Sequence, residues 1–248
     1  MDFTGKHVAI TGASTGIGRA TADRIIGGGG KVTLIARRAA LLEQAVAELG
    51  ERAAWAAADV ADKDQLLAAL DAAVAANGPI DGLFLNAGIG GAFLAIEDYP
   101  EETFEQVMAV NLTAAFRAIA HVLPAMKARR QGAILVTGSL ASERGMPMNA
   151  AYVASKHAVL GLSRAVANEA AEFGVRSNCV IPGLIETPML DGLPPGAAEQ
   201  LARAVPQGRT GKAAELAEVA AFLLSDAASH VTGQAWAVDG GMLGTMRV

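Results

Sequence analysis

A single cysteine, Cys179, stands among the 248 residues, so the chain cannot form an internal disulfide. It lies in the apolar run Cys179-Val180-Ile181, the setting of a buried structural thiol and not of a nucleophile. Hydrophobic residues make up 52% of the chain, yet they are scattered. No stretch supplies the roughly 18 uninterrupted apolar residues of a membrane span. Basic residues are too few to outweigh the acidic ones, and the net charge of −5 argues against nucleic acid or an anionic membrane as partner. His7, His121, His157 and His230 share no metal-ligand spacing, which argues against a zinc site. The opening residues Met1-Asp2-Phe3-Thr4-Gly5-Lys6 lack a basic segment followed by an apolar core, so a cytoplasmic setting is the expectation.

What the chain does contain is an alternation of short apolar runs with longer, alanine-rich helical stretches. Strands are expected at His7–Thr11, Val32–Ala36, Ala53–Ala57, Gly82–Asn86, Ala133–Thr137, Val175–Ile181 and Ala235–Val238. Helical patterns lie near Gly16–Ile26, Leu41–Leu49, Lys63–Ala76, Glu101–Lys127, Ala150–Phe173 and Ala213–Leu224. Pro124, late in the longest of these, is expected to kink or end it. This repetition predicts an α/β fold: one doubly wound, parallel, seven-stranded sheet of Rossmann type with helices on both faces. No linker-like composition divides the chain, so residues 1–248 are read as one domain. The segment 188–211, broken by Pro194-Pro195-Gly196 and Pro206-Gln207-Gly208, reads as an insertion near the site, a candidate lid.

Two patterns carry chemistry. Tyr152 and Lys156 are four residues apart, so on a helix both side chains leave one face. An ammonium beside a phenol favours the phenolate, which suits a general acid/base. Ser139, where the apolar run Ala133–Thr137 passes into a loop, is placed to hold a substrate oxygen. Taken alone, the Tyr-x-x-x-Lys spacing equally describes a surface pair on an amphipathic helix. The second pattern is Thr11-Gly12-Ala13-Ser14-Thr15-Gly16-Ile17-Gly18, between the first strand and the first helix. Glycines there let the backbone approach a pyrophosphate while free helix amides face its charge. A glycine-rich turn with no ligand is the alternative, and the position after the first strand favours a dinucleotide.

With these residues in order, the chain resembles the short-chain dehydrogenase/reductase family over about Lys6 to Gly241. The resemblance implies a cofactor loop at Gly12, Ser14, Thr15, Gly16, Ile17 and Gly18. It implies adenine contacts from Asp59 and Val60, and an Asn86-Ala87-Gly88 segment closing the fourth strand. Catalysis would rest on Asn111, Ser139, Tyr152 and Lys156, with Asn111 anchoring a water that links Lys156 to solvent. Lys156 would also bind the nicotinamide ribose, and Pro182, Gly183, Ile185 and Thr187 would hold the carboxamide.

The second strand ends in Ala36 where NAD-preferring members of that family carry an acid, and Arg37 and Arg38 follow. A guanidinium suits a 2′-phosphate, which a carboxylate would repel, so NADP(H) is favoured over NAD(H). The alternative is a pair of solvated charges. By family analogy, Phe93, Arg144, Met146, Met148, Met189, Leu190 and Leu193 line a substrate pocket for a hydrophobic secondary alcohol or ketone, cyclic or aromatic. The reading is an alcohol dehydrogenase or ketoreductase. A 3-oxoacyl-carrier-protein reductase and a non-catalytic cofactor-sensing protein are the alternatives. The resemblance also implies a homotetramer, or a homodimer, with small faces at Ala114, Ala115 and Ala118 and at Ala151, Ala154 and Ala158. The Gly27–Gly30 run has no functional account.

Overall fold

The computed structural model describes residues 1–188 and 202–245. Its strands are β1 (His7–Thr11), β2 (Lys31–Ala36), β3 (Ala53–Ala57), β4 (Gly82–Leu85), β5 (Gly132–Thr137), β6 (Val175–Pro182), β7 (Ile185–Glu186), β8 (Gly211–Lys212) and β9 (Ala235–Val238). Between them lie α1 (Gly16–Gly27), α2 (Ala39–Leu49), α3 (Lys63–Asn77), α4 (Glu101–Met108), α5 (Ala114–Arg129), α6 (Ala150–Ala170) and α7 (Ala213–Leu224). Seven strands form one sheet in the order β3-β2-β1-β4-β5-β6-β9, with every neighbouring pair parallel. All the expected strands are present. β7 and β8 pair apart from the sheet, a contact too short to leave a sequence pattern.

Period-two alternation in the central strands divides the core. Ile10, Leu34, Phe84, Leu135 and Val180 pack with Ala22, Ile25, Leu42, Leu216 and Ala220 of α1, α2 and α7. Ala9, Ile35, Leu83, Ile134 and Val136 pack on the other face with Leu66, Leu70, Ala118, Met126 and Val159 of α3, α5 and α6. The strand order reverses between β1 and β4, which opens a crevice at their carboxyl ends, where open α/β sheets take their ligands.

Local chemistry sets the element ends. The Asp62 carboxylate accepts the Asp64 and Gln65 amides and starts α3; the Gln65 amide first of all holds that carboxyl below its ordinary range. β4 stops at Leu85 and not at Asn86, because the Asn86 amide turns to the Thr11 hydroxyl (3.1 Å). The expected helix Glu101–Lys127 is a continuous run in which a π-helical turn, Ala109–Thr113, separates α4 from α5. Pro124 does not end α5, which continues to Arg129 before Arg130 turns left-handed at φ 53°. By length and composition the run Glu101–Arg129 could cross a membrane, with mean hydropathy 1.4 over an 18-residue window. Here Val107, Ala114, Ala115, Ala118, Ile119, Val122 and Met126 bury one side of it in the core.

The alanines expected to offer small faces to a partner are largely spent inside the chain: Ala114, Ala115, Ala118 and Ala151 are buried in its own core. The glycine run also finds its reason. A Cβ on Gly28 would lie 2.7 Å from the Met1 carbonyl oxygen, and one on Gly30 would lie 2.7 Å from Phe3 Cβ. Gly29 adopts φ 87° beside Thr4. The run therefore lets the N-terminal segment lie against the end of α1, with buried Phe3 donating its amide to Gly28 O (2.7 Å).

Candidate active site

The β1–α1 turn is built for close backbone approach. Gly12 has φ 66°, and a Cβ on it would stand 2.9 Å from Ala87 Cα. A Cβ on Gly18 would stand 2.6 Å from Gly12 O. Asn86 stitches the surrounding strands: its Nδ2 donates to Gly12 O (3.2 Å) and Thr11 O (3.3 Å), and its Oδ1 accepts the Thr137 hydroxyl (3.2 Å). Thr11 Oγ1 accepts the Asn86 and Ala87 amides. The cap residue of α1, Thr15, offers no side-chain bond to its first amides, which stay free for an anion.

Beside this loop lies a cleft of about 240 Å³ lined by Gly12, Ser14, Ala36, Arg37, Arg38, Asp59, Val60 and Gly88, among others. Arg37 and Arg38 are exposed at its rim. Arg38 Nη2 donates to Ser14 Oγ (3.2 Å) and Thr15 Oγ1 (3.4 Å), so the guanidinium already leans over the loop. Asp59 Oδ1 accepts the Ala61 amide (3.0 Å), which fixes the turn after β3. Gln106 and Val110 also line this cleft. They carry no motif and reach it only because α4 and the π turn fold over Gly88.

A second cleft, about 260 Å³, continues the first and brings together Gly12, Thr15–Ile17, Asn86–Gly88, Ser139, Tyr152, Lys156, Pro182, Gly183, Ile185 and Thr187. Gly138 and Leu184 complete its wall without having been anticipated. Lys156 is buried, its Nζ 5.5 Å from the Tyr152 ring centroid, and donates to Thr137 O at 2.7 Å. An ammonium has three donors, so this bond leaves others for a ligand. Ser139 Oγ accepts the Ala141 amide (3.2 Å), leaving the hydroxyl proton free to be donated elsewhere. The Ser139 amide donates to Ser142 Oγ (3.1 Å), and Ser142 in turn donates to Lys156 O (2.8 Å).

Asn111 sits in the π turn with both Nδ2 hydrogens engaged: its Oδ1 accepts Ile89 N (2.9 Å) and its Nδ2 donates to Ile89 O and Ser155 Oγ (3.0 Å each). Ser155 donates to Tyr152 O (2.8 Å). Asn111 therefore connects the loop after β4 to the helix bearing Tyr152 and Lys156. A Cβ on Gly88 would lie 3.3 Å from Asn111 Oδ1 and 3.5 Å from Lys156 Nζ, which places all three side by side. Thr11, already part of the glycine-loop pattern, bears this frame with Thr137, Ser142 and Ser155; the last three, common hydroxyl residues without a pattern, gave no signal in the sequence.

Of the described residues expected around the substrate, none is in that lining. Phe93 (63% exposed), Met146 (37%) and Met148 (55%) lie on the loops after β4 and β5. These loops are joined where Leu94 N donates to Met148 O (2.8 Å). Arg144 Nη2 is bonded to Leu243 O (2.9 Å). Met189, Leu190 and Leu193, with most of the expected lid, lie outside the described residues.

Other singled-out groups have structural partners. His157 Nδ1 pairs with Val153 O on the exposed side of α6. Cys179 is buried, and desolvation pushes its thiol up to about 11. Lys127 lies over the Phe173 ring, Arg129 is paired with Asp81 and Arg130 donates to Glu172 O. These three basic side chains at the end of α5 are thus engaged within the chain.

Comparison with known proteins agrees with this fold. A family model described as enoyl-(acyl carrier protein) reductase matches residues 12–243. The chain is 38% identical to the 2,5-dichloro-2,5-cyclohexadiene-1,4-diol dehydrogenase of Sphingobium indicum, covering 97% of this chain and 98% of that protein. It is similar to the crystal structure of levodione reductase, with TM-score 0.93, 37% identity and coverage of 96% of this chain and 98% of that one. It is also similar to a 3-ketoacyl-(acyl-carrier-protein) reductase from Brucella melitensis complexed with NADH, with TM-score 0.90, 34% identity and coverage of 96% and 98%.

Proposed function

The chain belongs to the short-chain dehydrogenase/reductase family, and from that premise we propose that it is an NADP(H)-dependent oxidoreductase interconverting a hydrophobic, ring-bearing secondary alcohol and its ketone. The observation that carries the reading is the convergence of Ser139, Tyr152 and Lys156 on the cleft that continues from the glycine loop. The loop fits a dinucleotide: Gly12 and Gly18 let the turn pack tightly against Ala87 and Asn86, and the first amides of α1 behind it carry no side-chain cap and can face a pyrophosphate. When bound, the nicotinamide supplies or accepts the hydride.

The protein's own groups handle the proton and the positions. In reduction, the Tyr152 hydroxyl gives its proton to the substrate oxygen; in oxidation, the phenolate takes it back. Lys156 lines the same cleft as Tyr152, and the N–H donors not used on Thr137 O serve the ribose hydroxyls. Ser139 donates its free hydroxyl proton to the same substrate oxygen, where negative charge develops. Asn111, Ser155 and Ser142 keep these groups in register.

Two features support NADP(H). No acid closes β2, whose last residue is Ala36, and Arg37 and Arg38 with Ser14 are disposed to hold a 2′-phosphate. A ring-bearing, uncharged substrate is supported by the apolar Phe93, Met146 and Met148, by the engagement of Arg144 with Leu243 O, and by the ring diol named for one relative.

The experiment follows NADPH and NADH oxidation with a panel of cyclic and acyclic ketones. NADPH should be preferred by about tenfold or more in kcat/KM, the scale of one charge-assisted contact. Tyr152→Phe should lower kcat by about 10²-fold or more while NADPH still binds. An equal preference for NADH overturns the cofactor reading, and undiminished turnover by Tyr152→Phe overturns the mechanism.

A further inference from the structure

The loop that follows β4 is held at successive points along its length. Ile89 exchanges both backbone groups with the Asn111 amide. Ala92 N donates to Tyr99 Oη at 3.1 Å. Leu94 N donates to Met148 O at 2.8 Å. The fit against Tyr99 is tight: Gly91 has φ 70°, and a Cβ on it would lie 2.5 Å from Tyr99 Oη and 2.8 Å from Val107 Cγ2. Met148, on the loop between β5 and α6, has φ 62°, a conformation that a methionine adopts only when its surroundings impose it. Two independent features, a close-packed glycine and a left-handed methionine, therefore serve the same loop.

Between the Tyr99 and Met148 anchors stands Phe93, exposed to solvent as Met146 and Met148 are. Tyr99 is not part of the cleft lining, so its hydroxyl acts on the loop and not on the reacting atoms. We infer that Tyr99 is a positioning residue that determines specificity: with the Met148 carbonyl it sets Phe93 as a wall of the substrate mouth, so that ring ketones are favoured over short acyclic ones. The inference rests on the ketone-and-alcohol reading above. Without the Tyr99 hydroxyl, the Ala92 amide loses its acceptor and the loop gains freedom between Ile89 and Leu94. A broad substrate that needs the wall loses binding; a small ketone does not.

The test uses the whole chain with NADPH and two ketones, cyclohexanone and 2-butanone. Tyr99→Phe, which removes one oxygen, should raise KM for cyclohexanone about fivefold, the scale of one lost hydrogen bond. Its kcat, its KM for 2-butanone and its KM for NADPH should stay within about twofold of wild type. Gly91→Ala, whose new Cβ must displace the tyrosine hydroxyl, should shift the ring-to-acyclic ratio in the same direction. An unchanged ratio in Tyr99→Phe overturns the inference. So does a parallel loss of kcat for both ketones, which marks a tyrosine of purely structural role. Failure of the wild-type protein to reduce any ketone defeats the functional reading itself, a result distinct from either.

Discussion

Ser142 accepts the Ser139 amide and donates to the Lys156 carbonyl, so one hydroxyl joins the loop after β5 to the helix that carries Tyr152 and Lys156. It is buried, and removing its oxygen leaves the Ser139 N–H without this partner. Ser142→Ala should cost about 1–3 kcal/mol of stability, as expected when a buried polar group loses its partner. It should lower kcat more than it raises the KM for NADPH, measurable by urea unfolding and steady-state rates on the same preparation. Tyr152, Lys156 and Ser139 are legible in the sequence because their side-chain types are few and their order is specific. Ser142 is not legible: its role exists only because a short turn, Leu140–Ser142, returns the chain to α6.

Elements show where spacing succeeds and where contact decides. The long helical run was legible from its periodicity, but not the π turn at Ala109–Thr113, since an apolar stripe reads alike through one widened turn. The glycine run is the reverse case. Its composition was plain and its reason hidden, because Phe3 and Thr4 approach it from a remote part of the chain. Its members should respond differently to substitution. Gly30→Ala forces a Cβ to 2.7 Å from Phe3 Cβ and 2.8 Å from Ile25 Cγ2. It should destabilise by about 1–3 kcal/mol through overpacking. Gly27→Ala, at the last helical residue with nothing within 4 Å, should be neutral or stabilising by up to about 1 kcal/mol. Thermal unfolding of the two variants separates them; equal Tm values would contradict the packing argument.

At the scale of the molecule, the two ends of the sheet do different work. The carboxyl ends hold the site. At the opposite end His7 is buried, with Nδ1 against Gly78 O and Nε2 against Thr33 Oγ1 (2.9 Å each), joining β1, β2 and the approach to β4. Burial, first of all, lowers its pKa from the usual 6.5. Its contribution to stability is therefore full above pH 6.5, where folded and unfolded imidazoles are both neutral. Below that value the unfolded chain takes up a proton that folded His7 resists, and stability falls as the pH falls. The urea midpoint should decline below pH 6.5, and His7→Gln should flatten that decline without changing the pH profile of kcat. Glu215, held down to about 2 chiefly by Arg209, loses its pairing only in far stronger acid, so the two effects fall in separate windows.

By itself the sequence determined the class of the fold, the family, and the residues proposed to handle the proton, because periodicity and side-chain chemistry are local properties. It also determined that β2 ends without an acid and with Arg37 and Arg38. Only the tertiary structure decided which hydroxyls brace those residues, that Arg144 is spent on Leu243 O, and that Tyr99 and Met148 hold one loop on either side of Phe93. These facts depend on hydrogen bonds between segments far apart in the chain. Such bonds leave no periodic trace, and so they are settled only when the sheet brings their partners together.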